Sequence, residues 1–177
     1  MAEVLSATQG LAQVSTVATH TAVTVWAAVA SFVVLIALTG FFLLFVRYVG
    51  RGPFVAVILS FYAAYAIYLA FPYASLLPSA PASTAVASHA GLYLALAIVF
   101  YIILRRVVVS DFLYIGIFGL IALSFLASAF LIAMAYHVFS VTNIYRFNSS
   151  IAQLFAPAQY FFWWFVAPAI GLFFLAR

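Results

Sequence analysis

Residues 24–46 read TVWAAVASFVVLIALTGFFLLFV, a run of apolar and small residues without a single charge. About 20 consecutive apolar residues, rising about 1.5 Å each as a helix, cross the hydrocarbon of a bilayer. The stretch is long enough to do so, and the rest of the chain has the same character. Hydrophobic residues make up 70% of the 177 positions and charged residues 5%, against about 45–50% and about 25% in an ordinary soluble domain. No water-facing surface can be assembled from so few charges. The composition specifies an all-α membrane bundle whose outside is covered by lipid.

Four further segments have the length and composition of spans. The second, 54–71, begins after Arg51-Gly52-Pro53 and stops at Pro72, in keeping with proline at a helix start and again just past its end. Residues 72–88 (PYASLLPSAPASTAVAS) hold three prolines among small polar residues and form the longest loop of the first half. The third span, 85–104, ends at Arg105-Arg106, and the fourth, 112–136, follows after a very short connection that predicts an antiparallel hairpin. The fifth, 158–176, is just long enough to cross. Tyr160, Trp163 and Trp164 are expected as an aromatic anchor at one headgroup level, with Arg177 in water at the other. Pro168 falls in mid-span, removes a backbone donor and is expected to kink the helix. All 177 residues read as one integral membrane domain.

The stretch 142–156 has a different pattern. Ile144, Phe147, Ile151, Leu154 and Phe155 recur at helical spacing, while Arg146, Ser149, Ser150 and Gln153 fall opposite them. This predicts an amphipathic helix lying in the membrane interface, with a re-entrant or buried loop as the alternative.

Orientation follows from the arginines, which supply every basic charge apart from histidine; the chain has no lysine. Arg47, Arg51, Arg105, Arg106 and Arg177 fall on one side of the predicted spans and only Arg146 on the other, so the amino terminus is expected outside and the carboxyl terminus in the cytoplasm of a multi-pass cell-membrane protein. The first 20 residues carry Glu3 rather than a basic region and lack a continuous apolar core, so the first span is expected to serve as its own targeting signal. A net charge of +4 spread this thinly is no nucleic-acid footprint. The absence of cysteine excludes disulfides, thiol catalysis and thiolate metal sites.

Candidate chemistry is sparse. No ionisable group falls near the centre of a predicted span, where such groups mark ion pathways; Asp111 lies at the cytoplasmic edge and reads as a partner of Arg105 and Arg106. Tyr62, Tyr65 and Tyr68 recur every three residues and either line a polar path or pack with their hydroxyls bonded to backbone or serines. Pairs of small residues four apart, Ala27 with Ser31, Ser124 with Ser128 and Ala129 with Ala133, allow close helix approach. Asn148-Ser149-Ser150 matches a glycosylation sequon, a pattern common by accident. The topology brings His20, His89 and His137 to the outer interface, but nothing fixes their helices as neighbours there, and the expectation is no metal and no cofactor. No glycine-rich phosphate loop, nucleophile elbow, zincin motif or paired carboxylate is present, and an enzyme is not expected. Two function classes remain: a non-catalytic accessory, assembly or scaffold component, whose partners are lipid and other membrane proteins or itself, and a small transporter or channel subunit for a neutral or apolar solute.

Overall fold

The computed structural model of the chain describes residues 32–72, 77–78, 80–107, 116–144 and 149–175. They form six α-helices: α1 (Val33–Val49), α2 (Arg51–Leu69), α3 (Ala82–Val107), α4 (Ile117–His137), α5 (Ser149–Phe155) and α6 (Ala158–Leu175). A 3-10 turn, Val141–Asn143, lies between α4 and α5. Among the described residues there is no strand. Helices α2, α3, α4 and α6 are each long and apolar enough to cross a bilayer, and α1 is a shorter apolar helix of 17 residues. The chain is a membrane-embedded helical bundle. The expected start of the first span at Thr24 lies outside the described residues, as do Glu3, His20, Ala27, Ser31, Asp111, Arg146, Phe147, Asn148 and Arg177.

Helices α1 and α2 are joined by Gly50 alone. Its backbone, at φ 109° and ψ 171°, occupies a region that is open essentially only to glycine. The helix therefore breaks there and restarts at Arg51, three residues ahead of the expected start, with Pro53 inside the first turn where its missing N–H costs nothing. Helix α3 is also longer than the expected span, and Arg105 and Arg106 close its last turn, where positive charge complements the helix dipole.

Helix α4 is the centre. It packs most extensively on α1 and α6, while α3 packs mainly on α2. Ser124, Ala127, Ser128, Ala129 and Ala133 of α4 are all buried, together with the large side chains Leu123, Phe130 and Met134. Without a hydrophobic drive between helices in lipid, small residues let backbones approach and dispersion does the rest. Gly171 of α6 shows how close that approach is: an added Cβ would stand 2.8 Å from Leu126 Cδ1 and 3.3 Å from Leu123 Cδ1. A chain of hydroxyls ties α1 to α4, since Thr39 donates to the Leu35 carbonyl at 2.8 Å and lies 3.3 Å from the Ser128 hydroxyl, which donates to the Ser124 carbonyl at 2.8 Å.

Two expectations are corrected. Helices α3 and α4 do not form a packed hairpin, because a short connection brings helix ends together but does not choose their packing faces. Tyr93 and Ala97 turn the buried face of α3 to α2, whereas the small residues of α4 receive α1 and α6. The stretch 142–156 is not one continuous helix, since the 3-10 turn precedes a separate α5 of seven residues. The three- and four-residue spacing nevertheless has a structural consequence: Ile151 and Phe155, one turn apart, are buried against Leu35 of α1 and Ala129, Ile132 and Ala133 of α4, while Leu154 is exposed.

The described arginines gather at one end of the bundle. Arg47 and Arg51 border a recess shared with Ile117 and Leu120 at the start of α4. Tyr101 of α3 meets Phe45 of α1 edge-on at 6.2 Å, and Arg105 lies one helical turn beyond it. The last turn of α2, the first turns of α3 and the end of α4 form the opposite end.

Candidate functional site

The end of the bundle remote from the arginines carries a small polar pocket. Tyr68 in the last turn of α2, His89 near the start of α3, and Ser140 and Asn143 around the 3-10 turn line it, with a volume of about 280 Å³. The Tyr68 hydroxyl stands 2.9 Å from His89 Nδ1. With the phenol donating to Nδ1, the imidazole proton sits on Nε2 and remains a donor. Ser140 adopts a left-handed conformation, φ 50° and ψ 41°, uncommon for a residue with a side chain; its carbonyl accepts the Asn143 N–H at 3.0 Å and so shapes the turn that brings Asn143 to the pocket.

Phe139 forms one wall of this pocket and is also a wall of a second, larger space. That space is a cleft of about 480 Å³ between α1 and α3, with α2 as its floor. Phe42, Phe61, Tyr93 and Ala97 on its inner surface are buried, whereas Phe41, Leu94 and Ile98 at its lips are exposed, so the cleft opens sideways toward lipid. Its two tyrosines and one serine add little polarity. The Tyr93 hydroxyl donates to the Phe61 carbonyl at 3.1 Å and the Ser60 hydroxyl to the Val57 carbonyl at 2.6 Å. Rings of Tyr68, Tyr93 and Phe139 lie 5.3 to 6.3 Å apart at the junction of pocket and cleft.

The tyrosine stripe of α2 splits between two environments. Tyr62 and Tyr65 pack against Phe165 of α6, each with ring centroids 5.2 Å away, and Tyr62 also meets Phe130 at 5.2 Å. The Tyr62 hydroxyl donates to the Phe165 carbonyl at 2.6 Å. Helix α6 runs through Pro168, whose ring displaces the preceding turn and weakens the ladder bonds there; the Tyr62 phenol supplies a donor to the carbonyl three residues before that proline, the kind of repair a neighbouring helix offers in lipid. Tyr68 lines the polar pocket instead.

The histidines have separate partners. His89 belongs to the polar pocket, while His137 Nε2 donates to the Phe155 carbonyl at 2.8 Å and its ring packs 4.9 Å from Phe161, so it fastens the end of α4 to α5 and α6. Among the described residues no three His, Asp or Glu side chains are grouped as metal ligands would be. The aromatic anchor is divided likewise: Tyr160 and Trp163 are exposed, whereas the Trp164 indole donates to the Leu154 carbonyl at 3.0 Å and packs tilted against Phe155 at 4.8 Å. Sequence reasoning singled out Tyr68 and His89 separately and missed Tyr93, Phe139, Ser140 and Asn143. Their only sequence signal is position at predicted span ends, which does not state which ends meet.

No known protein family, curated protein or solved structure matches this chain.

Proposed function

We propose that this chain is a non-catalytic, multi-pass component of the cell membrane, an accessory, assembly or scaffold subunit that acts through helix contacts with other membrane proteins or with copies of itself. The observation that supports this reading is the filled interior beside the tyrosine stripe. Tyr62 and Tyr65 are packed against Phe165, and the Tyr62 hydroxyl is spent on a backbone carbonyl, so these two rings serve helix packing between α2 and α6. The gathering of Arg47, Arg51, Arg105 and Arg106 at one end supports a cytoplasmic position for that end and an outer position for the Tyr68 end. A second reading, a transporter or channel subunit for an apolar solute, draws on the lateral cleft between α1 and α3.

A photoreactive amino acid at Val99 or Ile103, both on the exposed face of α3, separates the two. Irradiation of native membranes should yield a discrete adduct of constant mass identified as a membrane protein. Lipid adducts alone, together with uptake of an apolar fluorophore into liposomes holding the pure protein, would replace the first reading by the second.

A further inference from the structure

We propose that the polar pocket and the apolar cleft form one site for a single membrane lipid, with an uncharged, hydroxyl-bearing head against Tyr68, His89, Ser140 and Asn143 and one tail in the cleft between α1 and α3. Continuity is the first observation. Phe139 walls both spaces, and the neighbours His89 and Ala90 on α3 line the pocket and the cleft respectively. The two spaces differ sharply in chemistry across that single ring, as the two halves of an amphiphile do.

Length is the second observation. From Ala90 to Tyr101, the residues of α3 that bound the cleft, a helix rises about 16 Å at about 1.5 Å per residue. That is close to half of the hydrocarbon thickness of about 30 Å. The cleft therefore runs from the polar pocket toward the arginine end for about the length of one lipid tail, its far wall at Tyr101 lying one helical turn short of Arg105. Its exposed lips, Leu94 and Ile98, let a tail enter sideways without crossing a polar barrier. An apolar space of this size left empty would forfeit the dispersion contacts of its walls, and the hydroxyls of Tyr93 and Ser60 in those walls are already bonded to backbone carbonyls.

The nature of the head follows from what lines the pocket. A phenol, an imidazole, a hydroxyl and a carboxamide offer donors and acceptors suited to the hydroxyls of a glycerol or sugar head. The described arginines stand at the opposite end of the bundle, where they cannot attract a phosphate. Arg146, three positions after Asn143, lies outside the described residues, and an anionic head is accordingly tested directly.

The full chain in nanodiscs of phosphatidylcholine, doped in parallel with a monoglycosyl diacylglycerol or a phosphatidylglycerol, each carrying a diazirine near the tail end, provides the test. After photolysis, the glycolipid label should concentrate on Phe42, Leu94 and Ile98 over Val99 and Ile103 on the outer face of α3. Ala97→Phe, which fills the buried wall of the cleft, should abolish that concentration and leave the outer face unchanged; Ala90→Leu at the upper rim serves where Ala97→Phe does not fold. His89→Ala should lower the labelling of the cleft by glycolipid about fivefold, the order of effect of one lost hydrogen bond. Equal labelling of cleft and outer face, or labelling indifferent to both cleft-filling variants, would overturn the site. Phosphatidylglycerol labelling the cleft as strongly as the glycolipid would overturn the uncharged head. Neither result depends on whether the chain also contacts a protein partner.

Discussion

Helices α3 and α4 are both long and strongly apolar, yet over half of the span window of α4, 56%, is buried inside the bundle and only 11% of that of α3. Apolarity does not explain the difference. In water the more hydrophobic helix would go inside, but lipid tails are as apolar as leucine and give a helix no reason to leave them. What α4 has is a surface of small side chains with a few hydroxyls. Ser124, Ala127, Ser128, Ala129 and Ala133 admit two neighbouring backbones, and the Ser128 and Thr39 hydroxyls stand 3.3 Å apart across the contact. Leu94, Ile98, Val99, Ile102 and Ile103 of α3 keep other helices away and present a ridged wall to the lipid. Interior position in this bundle is decided by shape and hydrogen bonding, and the lateral cleft lies where α1 and α3 do not close over α2.

The sharpest way to break this comparison is one chemical change made in both helices. Ala129→Leu puts a large side chain at a fully buried position of α4 and should destabilise the bundle by about 1–3 kcal/mol or more, whereas Ala95→Leu, exposed on α3, should leave stability within about 0.5 kcal/mol. Thermal or denaturant unfolding in detergent measures both. Equal losses would show that α4 is not set apart by steric demand.

A middle-sized effect is expected at the contact of α2 with α6. Tyr62→Phe keeps the ring contacts with Phe130 and Phe165 but removes the donor to the Phe165 carbonyl, and should cost about 0.5–1.5 kcal/mol. Combined with Pro168→Ala, which restores the helical N–H, the loss should shrink. A double variant whose losses simply add would detach the phenol from the proline.

The smallest effects sharpen the role of hydroxyls within α4. Among the described residues the Ser124 hydroxyl is buried with no hydrogen-bond partner, while that of Ser128 is bonded. Ser124→Ala should be neutral or slightly stabilising, since it removes an unpaired polar atom, and Ser128→Ala should cost about 0.5–1 kcal/mol, since it removes a hydroxyl bonded to the Ser124 carbonyl one turn back in the same helix. Paired melting curves of the two variants decide the order; the reverse order would contradict the bonding described for this contact.

Much of the architecture was legible from residues alone. Charge-free runs such as Val33–Val46 place the chain in lipid, and hydrocarbon then forces helices because no water is available to backbone groups. Proline and glycine mark the breaks, as Gly50 and Pro81 show. The site was hardly legible. Tyr68, His89, Ser140 and Asn143 come from separate segments, and a periodic pattern within each segment states which face is unusual but not what it meets. The same limit explains the hairpin expected of α3 and α4: proximity of helix ends is a property of chain length, while packing partner is a property of two surfaces.

The sequence by itself determined that this is a helical membrane protein, roughly where its helices run and which ends carry the arginines, because these depend on composition and on one-dimensional spacing in a solvent that permits few backbone forms. Only the tertiary structure decided that α4 is central, that Tyr62 serves the proline helix while Tyr68 serves a pocket, and that Phe139 joins that pocket to an apolar cleft. Those choices depend on the fit of side-chain surfaces from distant segments. In lipid, where burial of apolar area discriminates so little among partners, that fit is the quantity that selects the arrangement.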